Sequence, residues 1–333
     1  MPRIKTNGLR IEYESLGSAK SEAVLLIMGL GAQLTQWPAA LCEKLVERGY
    51  RVIRFDNRDV GLSSKITKGS KLSYSEMLAS LGDGKSDFAP YSLADMASDA
   101  IGLLDGLKID KAHIVGMAMG GMIAQTIAAE YPDRTLSLTS ISSTSGNPDL
   151  PGPDEDVLRL MLSPAPVVSD LDGIVARDIE LNRLIGSPDY PTEAATLKEW
   201  AMRDALRAYY PAGILRQMAA AMSGGDRRAA LAKIKAPTVV LHGAADRYIP
   251  VAAGEDTAKA IPGAELRVVP GMGHDLPTAL AGTIAEAIVA AAERATGPRP
   301  AVEAGSATRN DEAGKPGPFS RMFRRFRRAI VPA

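Results

Sequence analysis

His113-Ile114-Val115-Gly116-Met117-Ala118-Met119-Gly120-Gly121 decides the fold of this 333-residue chain. A β-branched run reaches a glycine, turns sharply and meets two more glycines, and the apolar run from Met122 to Ala129 continues as a helix. That is the layout of a nucleophile elbow, G-x-S-x-G, in which a strained strand-to-helix turn lifts a hydroxyl above the end of a central strand. Position 118, where the hydroxyl belongs, carries alanine. A methyl group neither attacks a carbonyl nor gives up a proton.

Outward from the elbow, the chain alternates strand and helix. Residues 3 to 16 alternate about Asn7-Gly8 and predict a hairpin at the antiparallel edge of a sheet. Ala23 to Met28 is a continuous apolar strand, Trp37 to Arg48 has helical spacing with Gly49 as its stop, and Arg51 to Phe55 is the next strand. Strand, helix and strand in that order form a βαβ unit with parallel, doubly covered strands. A short helix is expected from Tyr74 to Leu81, and Ser92 caps an amphipathic helix over Leu93 to Leu107 in which Asp95 and Asp99 lie between the apolar positions. Leu136 to Ile141 follows the elbow helix as a strand.

From Ser142 to Lys233 the β-rich runs vanish and helical segments separated by Pro and Gly take over, an inserted helical cap over residues 143–233. The sheet resumes at Thr238 to Leu241, with a helix from Val251 to Ala260, a strand from Leu266 to Val269 and a last helix from Thr278 to Ala295. Residues 1–142 and 234–295 therefore form the core. Residues 296–333 read as a flexible basic tail with eight Lys or Arg against three Asp or Glu, although the whole chain carries no formal net charge. Within that tail Phe319, Met322, Phe323, Phe326 and Ile330 recur at helical spacing among five arginines, a pattern suited to weak contact of 319–331 with an anionic membrane surface.

Composition narrows the function. The body has no basic face for nucleic acid, and the lone Cys42, set in a helical pattern, excludes an internal disulfide and reads as a small buried thiol. Gly29-Leu30-Gly31 lacks the downstream glycine and ribose-binding acid of a dinucleotide site, so no cofactor is expected, and no cluster of metal ligands is apparent. Met1-Pro2-Arg3-Ile4 opens no apolar leader and no run of 18 apolar residues occurs, which points to the cytoplasm.

Acyl transfer needs a nucleophile, a base, an acid to orient the base, and N–H donors facing the oxyanion. Of the three histidines, His113 opens the elbow strand and His242 lies in an apolar run, so both read as packed. His274 sits in Pro270-Gly271-Met272-Gly273-His274, a glycine-rich loop after a strand, where nothing structural calls for an imidazole, and it is the expected base. Asp246 follows the preceding strand; alone it reads as a loop or capping aspartate, but in order with the elbow and His274 it becomes the orienting acid. The N–H groups of Leu30 and Met119 are the expected oxyanion donors. Ser142 and Ser143 lie on a neighbouring strand end and are not expected to be presented by a strained turn. Arg58 and Asp59 read as structural ion-pairing residues beneath the elbow. Met161, Leu162, Trp200, Met202, Tyr209, Tyr210, Met218 and Met222 supply the apolar side chains of the cap, most of them expected to pack it against itself and some to line a substrate pocket.

The motifs together resemble the α/β-hydrolase superfamily, and within it aclacinomycin methylesterase and related bacterial carboxylesterases. The resemblance rests on Met28-Gly29 with Trp37-Pro38, Arg54-Phe55-Asp56-Asn57-Arg58-Asp59-Val60-Gly61-Leu62-Ser63, the elbow, and Ile261-Pro262 through Pro277, and it spans residues 3 to 295. It implies a mostly parallel eight-stranded sheet flanked by helices, a small-molecule ester substrate with an apolar part, and a serine at position 118 working with Asp246 and His274. Ala118 departs from that pattern. One account is a Ser-to-Ala inactivation of a working esterase; it is favoured because Gly116, Gly120, Gly121, Asp246 and His274 all remain. The others are a natural ligand-binding relative without catalysis, or a parent lactonase, carbon–carbon hydrolase or perhydrolase using the same three positions.

Overall fold

The computed structural model describes residues 2–67 and 89–298. The helix expected over Tyr74 to Leu81 and the basic amphipathic segment at 319–331 lie outside these residues. Eight strands form one sheet: β1 (Arg3–Thr6), β2 (Leu9–Leu16), β3 (Ala23–Ile27), β4 (Arg51–Phe55), β5 (Ala112–Met117), β6 (Thr135–Ile141), β7 (Thr238–Gly243) and β8 (Glu265–Val269). Their order is β1-β2-β4-β3-β5-β6-β7-β8, with β2 antiparallel to both neighbours and every other pairing parallel. The edge hairpin turns through Asn7 and Gly8, both at positive φ, the conformation that Asn-Gly accepts at least cost.

The order of strands places the site. From β3 the chain passes to β4 on one side, whereas β5 pairs on the other, so the carboxyl ends of β3 and β5 flank a topological switch point. Ile27 stands opposite Gly116, which brings the loop after β3 beside the turn after β5. Both strands are buried along their whole length, which is why they read as continuous apolar runs rather than alternating ones.

Helices cover the two faces. On one, α1 (Ala39–Glu47) buries Leu41, Cys42 and Leu45 together with the helix at Ala281–Thr296. On the other, α2 (Leu93–Gly106) packs beside α3 (Met119–Glu130), the elbow helix. The start of α2 is a reciprocal cap: the Ser92 hydroxyl accepts the Asp95 N–H while the Asp95 carboxylate accepts the Ser92 N–H. Such a cap stabilises a helix by about 1 kcal/mol. Asp99, one turn from both Met96 and Leu103, lies at the edge of the apolar face. It is buried and receives two bonds from the Arg58 guanidinium, at 2.6 and 2.8 Å.

Cys42 is enclosed in this core, and burial pushes its thiol up to about 11. Since the thiolate is the reacting species and the thiol is enclosed, alkylation of the native protein by iodoacetamide at pH 8 is expected to be slower than that of the urea-unfolded chain by about 10²-fold or more. Labelling at the unfolded rate would contradict this burial.

Between β6 and β7 stand helices α4 (Glu155–Leu162), α5 (Leu171–Ile185), α6 (Ala194–Arg207), α7 (Pro211–Ser223) and α8 (Arg228–Leu231). Of the eight apolar side chains named for the insertion, most expected to pack it and some to line a pocket, none is fully buried: Leu162 and Met222 are exposed and the other six half-buried. Its buried apolar residues are few and mostly small (Val157, Ile174, Val175, Ile185, Ala201, Ala219, Ala220, Leu231), and Ala220 and Leu231 belong to the core cluster of the sheet, which leaves too few for a separate apolar core. Instead it is fastened to the sheet by charge. Arg207 of α6 pairs with the fully buried Asp56 at 2.7 Å, and Arg216 of α7 makes two bonds of 2.9 Å to Asp59. Arg58 and Asp59 are thus ion-paired as expected, but to Asp99 and Arg216 rather than to each other. Removing one member of a buried pair strands the other's charge, so Arg216→Met is expected to lose about 3 kcal/mol in urea denaturation. A loss under about 1 kcal/mol would mean that Asp59 is adequately held by the Tyr91 hydroxyl, which donates to it at 2.8 Å.

Among the described residues, no helix is long and apolar enough to cross a membrane.

Candidate active site

Ala118 ends β5 and begins α3 with φ +52 and ψ −120, a conformation that costs an L-residue energy and survives only where its surroundings over-determine it. The surroundings do so. Its N–H donates to Ile141 O at 2.9 Å, and its carbonyl accepts from Gly121 N–H and from the Ser143 hydroxyl at 2.8 Å. The flanking glycines are required by space. A Cβ on Gly116 would lie 2.0 Å from Gly120 O, and one on Gly120 would lie 2.1 Å from Ile27 O, both rigid backbone atoms. Helix α3 can therefore pack directly on β3 and β5, with its first N–H groups at the strand ends.

Gly29, leaving β3, comes within reach of this turn: a Cβ placed there would be 3.2 Å from the Ala118 methyl and 3.9 Å from Met119 N. Gly29-Leu30-Gly31-Ala32 is a tight turn, closed by Ala32 N–H donating to Gly29 O at 3.2 Å, with Gly31 at φ +68. A positive φ at the third residue is the type II pattern. The carbonyl of the Gly29–Leu30 peptide is engaged in closing the turn, and the trans geometry of the peptide sends the Leu30 N–H to the opposite side.

Asp246 and His274 meet at the ends of β7 and β8. The His274 Nδ1 to Asp246 Oδ2 distance is 2.7 Å, and both side chains are buried. Asp246 Oδ1 accepts the N–H groups of Tyr248 and Ile249 at 2.9 and 2.8 Å. Burial opposes charge on this carboxyl, but His274, the side-chain bonds from His242 and His274, and the Ile249 N–H outweigh it and hold the group well below the usual carboxylate range. An ionised Asp246 can only accept at this contact, so His274 Nδ1 is the donor, and His274 Nε2 is, among the described residues, without a hydrogen-bond partner. The Tyr248 ring packs edge-on against the imidazole, with centroids 4.7 Å apart.

His113 is packed as expected, fully buried and bonded to Ser137 at 2.9 Å and Glu22 at 3.1 Å. His242 is packed too, but it has a role that its apolar neighbours concealed. Its Nε2 lies 2.8 Å from Ile249 O, its hydrogen-bond partner, and 3.5 Å from Asp246 Oδ2, so the imidazole stands beside the acid. Ser142 shows a positive φ of 44°, contrary to the unstrained strand end expected, yet it is fully buried and its hydroxyl has no partner among the described residues. Ser143 is engaged with Ala118 O.

The helical insertion holds the histidine loop. His274 N–H donates to Ile185 O at 2.7 Å, Gly273 N–H to the Ser187 hydroxyl at 2.9 Å, and that hydroxyl donates in turn to Asp275 at 2.5 Å. None of these partners is visible from spacing, because they lie about 90 residues apart in the chain. Among the described residues no group of His, Cys, Asp and Glu could hold a metal ion.

A family model described as alpha/beta hydrolase fold matches residues 22–277. The chain is 29% identical over 309 residues to rhodomycin D methylesterase of Streptomyces peucetius, covering 85% of this chain and 95% of that one. It is also 29% identical over 278 residues to a 2-hydroxy-6-oxononadienedioate/2-hydroxy-6-oxononatrienedioate hydrolase of Burkholderia vietnamiensis, covering 80% and 85%. Among solved structures, a thermophilic esterase of Thermogutta terrifontis superposes with a TM-score of 0.67 at 23% identity, covering 89% of this chain and 99% of that one, a likeness of fold. With the elbow, the eight-stranded sheet and the family match in agreement, this chain belongs to the α/β-hydrolase family and is built as a hydrolase.

Proposed function

We propose that this chain is a serine-type carboxylic ester hydrolase in Ser-to-Ala form, with Ala118 at the nucleophile position, His274 as base, Asp246 as the acid that orients it, and the N–H groups of Leu30 and Met119 as the oxyanion hole. The observation that carries the reading is the 2.7 Å Asp246–His274 contact, which leaves His274 Nε2 free to accept a proton. A site serving only to bind has no use for an imidazole held in that tautomer.

With a hydroxyl at position 118, His274 Nε2 takes its proton as the oxygen attacks the ester carbonyl. The carbonyl π electrons move to oxygen, and the two N–H groups stabilise the resulting anion. Collapse expels the alcohol, which leaves with the proton from His274, and the acyl group stays on the protein. Water then repeats the cycle, deprotonated by His274, and releases the carboxylic acid. Residues 143–233 act as the cap, with their half-buried apolar side chains supplying the substrate's apolar surroundings. The name of the Streptomyces relative makes methyl esters the first substrates to try.

The test is mass spectrometry of the Ala118→Ser protein, quenched after mixing with a graded series of p-nitrophenyl esters, methyl esters and lactones. An acyl adduct on the peptide containing position 118, absent from the unaltered chain, is expected. No adduct and no product across the series would replace this reading with a ligand-binding one.

A further inference from the structure

The inward face of α7 is made of Gly213, Arg216, Gln217 and Ala220, all buried. A buried helix face normally carries large apolar residues, and a buried amide is costly unless both of its ends are bonded. Arg216 is accounted for by Asp59. Gln217, which is fully buried, reaches two core loops: its Oε1 accepts the Gly31 N–H at 2.9 Å, and its Nε2 donates to Arg58 O at 2.7 Å.

The first of these bonds falls on a decisive peptide. In the turn Gly29-Leu30-Gly31-Ala32 the central Leu30–Gly31 unit can face either way, and the two orientations distinguish type I from type II turns. Rotating that unit exchanges its N–H and C=O while the Gly29–Leu30 peptide stays closed by the Gly29 O bond, so what the bond to Gln217 adds is a fixed seat for the loop beside Ala118. An acceptor fixed at Gln217 Oε1 bonds the N–H in the observed orientation and would confront the carbonyl oxygen in the other. Nearby contacts hold the same arrangement. Ile214 of α7 lies where a Cβ on Gly31 would be, at 3.1 Å, and Gln33 Nε2 donates to Asp204 O and Ala208 O at the end of α6.

We propose that Gln217 is a positioning residue for the oxyanion hole: from the cap helix its bonds to the Gly31 N–H and to Arg58 O seat the loop after β3 beside Ala118 and so hold the Leu30 N–H facing the reacting carbonyl. The proposal rests on the esterase reading above. On that reading the cap, beyond covering substrate, sets half of the electrophilic site.

The test uses the full chain carrying Ala118→Ser. Adding Gln217→Leu, which keeps bulk but loses both bonds, is expected to lower kcat about 10- to 100-fold with KM within about twofold, since removing an oxyanion donor outright costs about 10²- to 10³-fold. Gln217→Glu keeps an acceptor toward Gly31 and is expected to restore kcat to within about fivefold. A trifluoromethyl ketone, whose adduct places an anionic oxygen in the hole, is expected to weaken in parallel with kcat/KM in the Leu variant. A purely structural role would instead lower Tm without that correlation. The Gly31 amide offers a check at the unaltered glutamine: its hydrogen exchange is expected to be slow in the chain as it stands, and exchange at the rate of an open amide would overturn the proposal even if the Leu variant fails to fold. Full kcat in a folded Gln217→Leu protein would also overturn it, while leaving the esterase reading intact. Inactivity of Ala118→Ser with Gln217 present would overturn the esterase reading, and the proposal with it.

Discussion

Replacing Ala118 with serine is expected to raise kcat/KM for a cleavable ester by about 10⁴-fold or more over the chain as it stands. The size of the effect follows from how little else has to change. The strained φ of +52 is already borne by a residue with a Cβ, and the peptide is held on both sides by Ile141 O and Ser143 Oγ, so one added oxygen arrives in a prepared turn. In serine hydrolases generally, an oxyanion hole and a binding site without the reactive group retain only about 10³- to 10⁴-fold acceleration over water, and loss of the nucleophile removes about 10⁶-fold in kcat. Steady-state assays of both proteins on the same ester measure the difference, with thermal melting as the control that folding is unchanged. A ratio near one would sink the catalytic reading.

In that active background, Asp246→Asn is expected to lower kcat about 10⁴-fold while the protein stays folded. Asp246 uses its two oxygens differently: Oδ1 accepts the Tyr248 and Ile249 N–H groups, and Oδ2 faces His274 Nδ1 and His242 Nε2. An asparagine keeps its carbonyl oxygen on the backbone donors, which turns its NH₂ toward His274 Nδ1. Two donors cannot share that contact, so the imidazole gives up the Nδ1 proton and carries it on Nε2 instead. The base is then in the wrong tautomer, a change worth about 10⁴-fold in kcat where the same substitution is made in serine proteases.

The same carboxyl sets a pH signature. Its folded pKa lies below the ordinary 3.8, so its contribution to stability is present above the unfolded value and is lost as pH falls through the folded one. The stability gap between Asp246 and Asp246→Asn proteins, read from urea melts, is therefore expected at pH 7 and should shrink at pH 3 and below. A gap that widened with acid would contradict an ionised Asp246.

Much of this molecule can be read from local pattern. The alternation about Asn7-Gly8, the apolar runs of β3 and β5, and the glycines at 116, 120 and 121 each reflect a constraint between near neighbours in the chain: turn geometry, two-sided burial, and helix packed on strand. The chain order of the elbow, Asp246 and His274 is likewise visible, because each follows its own strand at one end of a parallel sheet. Contacts between distant segments could not be read this way. Asp99 reads only as an acid between apolar helix positions, and the fold seals it against Arg58 from 41 residues away. His242 sits in an apolar run and still stands with its Nε2 3.5 Å from the acid. Gln217 is an unremarked polar residue in a helical pattern, and only the folded chain carries it to Gly31, 186 residues distant.

The insertion shows the division most clearly. Its helices are legible from spacing, but its apolar residues suggested self-packing where the structure shows half-exposed side chains and ionic clamps at Asp56–Arg207 and Asp59–Arg216. The sequence by itself determined which segments are strands and helices, where the tight turns must be, and which residue types stand at the strand ends, since those depend on backbone sterics and short-range burial. Only the tertiary structure decided which buried charge meets which, how the His274 proton is placed, and how a helix of the insertion meets the loop after β3. Those outcomes depend on distances across the fold, where a hydrogen bond forms or fails within a few tenths of an ångström.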